Sequence, residues 1–352
     1  MTKVFDPNAA ALEDSGIFGL PFDLESSSLV YLPVPWEATT SYGGGTSLGP
    51  KSILEASRQV DLFDIEVLRP YEAGLFLLPE SNKVRQQGKK AKQLAASIIK
   101  AGGNIEGNKK LRTNLEQVNH ACSSMNEYVC GEILRLLGAG KIPALIGGDH
   151  STPFGAIKAM ASKHDSFGIL HIDAHSDTRK AYEGFTWSHA SIMYNVLEQI
   201  PQVTKLVQVG IRDFCEQEYE YCRSQPNRVS VFWDNALMRS KLAGQTWSSL
   251  AVDIVNALPD TVWVSFDIDG LDPRFCPHTG TPVAGGLDFA EANFLFRTLV
   301  QSGRTIIGFD LNEVAPHPKG EDEWDANVGA RMLYKMTAWT LVSQGKAAII
   351  SA

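Results

Sequence analysis

Short apolar runs recur along the chain, separated by stretches with apolar residues every three or four positions. The runs near 28–32, 74–78, 142–147, 167–173, 204–210, 229–233, 261–268 and 304–311 read as strands, most of them apolar on both faces. Helical spacing fills 152–163, 189–199, 215–223, 246–257, 288–301 and 327–343. Gly49-Pro50 opens a further helix with proline at its first position, and Leu115 to Leu137 forms a long one. Gly138-Ala139-Gly140 supplies a C-cap before the strand at 142–147. This alternation predicts an α/β fold: one three-layer α/β/α domain over residues 1–352, with a mainly parallel sheet. A barrel fits less well, because the first third does not alternate cleanly. Residues 1–26 read as an irregular N-terminal arm. The Lys-rich, glycine-interrupted stretch 80–115 reads as a helical surface insertion, a solvated helix pair.

The polar residues that interrupt this pattern gather at strand ends. Asp173-Ala174-His175-Ser176-Asp177 closes the strand at 167–173, with three potential ligands at alternate positions that face one side of an extended chain. Gly147-Gly148-Asp149-His150 closes a second strand, and Asp267-Ile268-Asp269 closes a third. Taken singly, a strand-end aspartate is most often a cap for the next helix, and a lone histidine such as His164 or His171 is structural or surface. Three such strand ends are harder to explain separately. His150, Asp173, His175, Asp177, Asp267 and Asp269 make an oxygen-rich set that suits Mn²⁺ or a similar divalent ion such as Ni²⁺. Six ligands are too many for one open catalytic ion and suit two, if some carboxylates bridge. Two divalent ions balance four carboxylates, and a water between them ionises near neutral pH.

Composition narrows the class. The 352 residues carry a formal charge of −8 and no Lys/Arg-rich tract, which gives no electrostatic reason to expect nucleic-acid binding. An acidic balance suits a cationic substrate. Five scattered cysteines, with no C-x-x-C pair, argue against a disulfide framework or a thiolate zinc site. The N-terminus shows no apolar signal segment, and no uncharged apolar stretch reaches the ~18 residues needed to span a bilayer, so no membrane association and a cytoplasmic location are expected.

With these motifs in view, the sequence resembles the ureohydrolases, the family of arginases and agmatinases. The resemblance rests on Gly147 to His150, Asp173 to Asp177, Ser265 to Pro273, Thr279 to Leu287 and Gly308 to Val314, in the family order. It implies an arginase-like fold and a binuclear Mn²⁺ enzyme that hydrolyses a guanidinium group to urea and an amine. Carried over by motif, one ion is held by His150, Asp173, Asp177 and Asp267. The other is held by Asp173, His175, Asp267 and Asp269. Glu313 matches the family acid that pairs with the guanidinium, and its bland alternative is a surface acid. His189 matches the histidine near the leaving group, where an imidazole can pass a proton to the amine; its bland alternative is a buried helix-start histidine. Asp177 orients the attacking hydroxide. Asp272 is expected to support its loop. The resemblance implies a homo-trimer or homo-hexamer.

The substrate is read from the segment after the second motif. Arg179, Tyr182-Glu183-Gly184 and Ser188-His189-Ala190 look more like agmatinases, which predicts agmatine as substrate and putrescine as product. Ile211-Arg212-Asp213 looks like the arginase pattern, in which Asp213 meets a substrate amine; otherwise Asp213 is a loop cap. The 80–115 insertion is typical of neither group. His278 stands where small residues are common, facing the entrance. Arginine, guanidinobutyrate, guanidine and formimidoylglutamate remain alternatives. A single-zinc deacetylase fits poorly, since its relatives lack the Gly-Gly-Asp-His motif and the second Asp-x-Asp acid. A non-catalytic scaffold that kept metals for stability would show a damaged site.

Overall fold

The structure is a computed structural model that describes residues 5–350, so the first four residues of the expected arm lie outside the described residues. In chain order the elements are β1 (Leu29–Pro33), α1 (Gly49–Ser57), β2 (Val67–Leu68), β3 (Leu75–Leu77), α2 (Asn82–Ile99) and α3 (Lys109–Gly138). They continue with β4 (Ile142–Ile146), α4 (Phe154–Met160), β5 (Phe167–Ile172), α5 (Ile192–Gln199), β6 (Val203–Ile211), α6 (Glu216–Arg223) and β7 (Val229–Trp233). Last come α7 (Asp234–Leu242), α8 (Trp247–Asn256), β8 (Thr261–Asp267), α9 (Phe289–Gln301), β9 (Thr305–Asn312), α10 (Trp324–Ser343) and β10 (Ala348–Ile349).

Eight strands form one parallel sheet in the order β3-β1-β4-β9-β8-β5-β6-β7. Its strands are apolar on both faces because helices cover both. Alternate residues feed different cores: Val262, Val264 and Phe266 of β8 pack with α1, α8, α9 and α10, whereas Trp263 packs with α2, α3, α4 and α5. Gly308 of β9 faces Trp263, and a Cβ there would come 2.5 Å from the indole and 2.7 Å from the Pro143 carbonyl oxygen. Gly308→Ala should therefore overpack the sheet and cost about 2–3 kcal/mol, read as a lower urea midpoint at unchanged slope.

The helices start where the sequence supplies caps. Ser81 and Asn108 accept from the backbone N–H of Val84 and Leu111, which begins α3 earlier than its apolar spacing suggests. Asp288 and Glu291 form a capping box for α9. The 80–115 pair is not merely solvated: α2 buries Val84, Gly88, Ala91, Ala95 and Ile98, with Gly88 against Trp36, so its lysines occupy only the outer face. Helix α7 was not expected, because only Leu237 of its nine residues is buried and no apolar stripe marks it. All five cysteines are free. Among the described residues, no helix is long and apolar enough to cross a membrane.

Candidate active site

Strands β4, β9, β8 and β5 are neighbours in the sheet, and each sends a polar segment beyond its carboxyl end. His150 follows β4, Glu313 follows β9, Asp267 ends β8 with Asp269 two residues on, and Asp173 follows β5. Residues far apart in the chain thus converge where open α/β sheets keep their ligand sites.

His150 Nδ1 lies 2.9 Å from Asp173 Oδ2, 3.2 Å from Asp267 Oδ2 and 3.4 Å from Asp177 Oδ2. His175 Nδ1 lies 3.1 Å from Asp269 Oδ2 and 3.5 Å from Asp173 Oδ1. All six expected ligand residues therefore come together, and Asp173 stands in both groups. The backbone assists: Asp173 Oδ1 accepts from the His175 N–H at 2.6 Å, and Asp267 Oδ1 from the Asp269 N–H at 2.9 Å. Alternation along an extended strand brings His175 into place, since its backbone bridges Asp213. It does not account for Asp177. The chain turns there into the left-handed region, at φ 55°, and that turn brings the carboxylate back to His150.

Electrostatics test whether the cluster fits cations. Burial and the neighbouring carboxylates push Asp177 and Asp267 well above the ordinary range. Burial opposes the charge of His150 and His175, yet the carboxylates hold both up, His175 to about 12. Ser265 Oγ donates to Asp310 Oδ1 at 2.8 Å, so it accepts from His150 Nε2–H at 2.9 Å. In its neutral form His150 then turns its Nδ1 lone pair towards three carboxylates. Buried acceptors converging in this way fit a pair of hard divalent cations.

His189 and Glu313 stand beside this cluster. Glu313 Oε1 accepts from the His150 N–H at 2.9 Å, and Glu313 Oε2 is buried without a partner. His189 Nδ1 is 3.9 Å from Glu313 Oε1, and its Nε2 is also buried and unpartnered. Burial, with His175 nearby, pushes His189 down to about 4. Burial and the charges of Asp267 and Asp149 push Glu313 well above its ordinary range. Glu313 is held at φ 61°, a strained geometry for a non-glycine residue. Asp213 is exposed at the rim, with Oδ2 3.9 Å from His175 Nε2.

His278 does not open freely into an entrance. Its Nδ1 donates to buried Asp325 at 2.8 Å, and its ring meets His317 edge-on at 4.4 Å. With Asp322 these form a second His/Asp group. However, His317 Nδ1 already accepts from the N–H groups of Lys319 and Glu321, which leaves its proton on Nε2. The group therefore ties down the segment after Glu313. Asp272 also supports its loop, through the Arg274 N–H.

The family model described as Arginase family matches residues 14–338. The chain belongs to the arginase family. It is thus a hydrolase acting on guanidino compounds, in an agmatinase-like ureohydrolase group of a family that is binuclear and metal-dependent. An N(1)-aminopropylagmatine ureohydrolase of Synechocystis is 30% identical over 327 residues, covering 91% of each chain. A guanidinobutyrase of Pseudomonas aeruginosa is 28% identical, covering 90% of this chain and 87% of the relative. Among solved structures, proclavaminate amidino hydrolase from Streptomyces clavuligerus superposes with a TM-score of 0.72 at 22% identity, covering 95% of this chain and 99% of that one.

Residues inside the strands support this arginase-family site from beneath. His171, taken as structural or surface, is fully buried and donates from Nε2 to Asp173 Oδ2 at 2.8 Å, while Gln208 Nε2 donates to its Nδ1 at 3.0 Å. Burial pushes its pKa below the ordinary imidazole value. Asp310 accepts from Ser265, Trp263 Nε1 and Asn312. His171, Gln208, Ser265 and Asp310 share one signal, a polar residue inside a strand apolar on both faces, which persists only where its hydrogen bonds are met.

Proposed function

We propose that this protein hydrolyses agmatine to urea and putrescine with two Mn²⁺ ions, Ni²⁺ being the alternative. The observation that carries this reading is the unpartnered, buried Glu313 Oε2 beside the cluster of His150, Asp173, His175, Asp177, Asp267 and Asp269. In the proposed site His150, Asp177, Asp173 and Asp267 hold one ion, and Asp173, Asp267, His175 and Asp269 the other. When bound, the ions lower the pKa of water and offset the buried negative charge. Glu313 binds the planar guanidinium, whose charge replaces the cation that the buried carboxylate lacks. Asp177 orients the attacking oxygen through a hydrogen bond. His189, kept neutral by burial, takes up the proton released as the water oxygen bonds to the guanidinium carbon and passes it from Nε2 to the amine nitrogen as the carbon–nitrogen bond breaks.

Recognition of the tail favours agmatine over arginine. An α-carboxylate needs its own cation or donors at the far end of the pocket. Arg179, on the segment that reads as agmatinase-like, is already paired with Glu218 at 3.4 Å and stacked 4.9 Å over Tyr182. Two relatives act, by their names, on N(1)-aminopropylagmatine and guanidinobutyrate, so a longer or acidic tail is the second reading. Asp213, exposed at the rim, receives the tail amine in the proposed pose. The test is urea release from agmatine, arginine, guanidinobutyrate, guanidine and formimidoylglutamate after Mn²⁺ or Ni²⁺ reconstitution. Agmatine should exceed arginine by about ten-fold or more in kcat/KM; arginine turning over far better would overturn the assignment. A homo-trimer or hexamer is expected by light scattering.

A further inference from the structure

The 80–115 insertion reaches both segments that flank Glu313 and His189. On one side, half-exposed Lys92 of α2 pairs with the Glu37 side chain, which is buried. Glu37 also accepts from the N–H groups of Gly45 at 2.9 Å and Ser47 at 3.2 Å, and from Thr40 Oγ1 at 3.3 Å. Glu37 therefore gathers the Gly43-Gly44-Gly45 loop around itself. These glycines sit at φ 66°, 150° and 109°, and such a run does not order itself, because glycine loses the most freedom on folding. A Cβ at Gly43 would come 2.3 Å from the Gly280 carbonyl oxygen, and a Cβ at Gly280 would come 3.3 Å from Glu313 Oε2. The loop is thus one residue removed from the unpartnered oxygen.

On the other side stands the segment that joins Asp177 to His189. Tyr182 and Phe185 pair across a tight turn with Glu183 at φ 51° and Gly184 at φ 88°, both left-handed as a type I′ turn requires. Asn119 of α3 accepts from the Thr186 N–H at 3.0 Å and donates to the Gly184 carbonyl at 3.5 Å. Gly103, between α2 and α3, lies where a Cβ would come 2.9 Å from Glu183 Cα.

We propose that α2 and the first half of α3 form a clamp that holds both walls of the substrate pocket, with Lys92 and Asn119 as positioning residues. Lys92 acts through Glu37: a buried carboxylate needs a cation, and the pair keeps the acceptor charged for the Gly45 and Ser47 amides. Neither residue touches the guanidinium, so their loss weakens binding and spares the chemical step. The pocket assignment rests on the function proposed above.

The test compares hydrogen exchange, metal content and steady-state kinetics of the metal-loaded protein with Lys92→Met, Lys92→Arg and Asn119→Ala. Lys92→Met should speed exchange of amides 43–47 about ten-fold while α2 stays protected, and raise KM for the best panel substrate about five-fold with kcat within two-fold. Metal content should be unchanged, and Lys92→Arg should restore both readouts. Asn119→Ala should loosen 184–186 alone. Unchanged exchange at 43–47 in Lys92→Met, loosening of the whole of α2, or a lower kcat at constant KM would each overturn the clamp. If the wild-type protein turns over none of the panel, the functional reading fails, and the exchange data still decide the clamp.

Discussion

Asp173→Ala is expected to reduce urea release by about a thousand-fold or more in kcat/KM, on the order of 4 kcal/mol of transition-state stabilisation. Bound metal should fall to at most one ion per chain. The reason is position. Asp173 lies 2.9 Å from His150 through one carboxylate oxygen and 3.5 Å from His175 through the other, so it touches the histidines of both groups. Its loss also leaves the buried His171 Nε2–H without its acceptor. Asp269→Ala is the informative contrast. Asp269 faces His175 and not His150, so one ion should remain while activity falls. Metal analysis of both variants beside the wild type checks this, and retention of two ions in Asp173→Ala would count against a shared ligand.

Glu313→Gln should remove about a hundred-fold or more of kcat/KM, near 3 kcal/mol, while metal content survives. Glutamine keeps an oxygen for the His150 N–H, so the backbone link at 2.9 Å is preserved. The change falls on the unpartnered Oε2, where an amide nitrogen would present a donor to a cationic guanidinium. Binding is thereby lost without disturbing the ligands. Metal loss in this variant would show that Glu313 serves the ions and not the substrate.

The eight strands of the sheet were legible because a parallel sheet buried on both faces leaves continuous apolar runs, and only β2 and β10, two residues each, fell below that signal. The six-residue His and Asp cluster was legible for a related reason. Each residue ends such a run, where a polar side chain has no packing role. Alternation predicts Asp177 on the same side as Asp173 and His175, but it does not extend that far, and a left-handed turn brings the carboxylate to His150. The sequence leaves His171 open between a structural and a surface role, because a histidine inside a strand looks the same in both; its burial and its contacts with Asp173 and Gln208 make it structural. The insertion was read from its lysines as solvated, and the small residues Gly88, Ala91 and Ala95, which let α2 lie close against Trp36 and its neighbours, carried the better signal.

The central claim is a two-ion centre built across the ends of β4, β5 and β8. Its most direct test is an anomalous difference map of crystals of the Mn²⁺-reconstituted protein, recorded at the manganese edge. Two peaks are predicted, one among His150, Asp173, Asp177 and Asp267, the other among Asp173, His175, Asp267 and Asp269. A single peak there, or manganese only at His278 and His317, would contradict it.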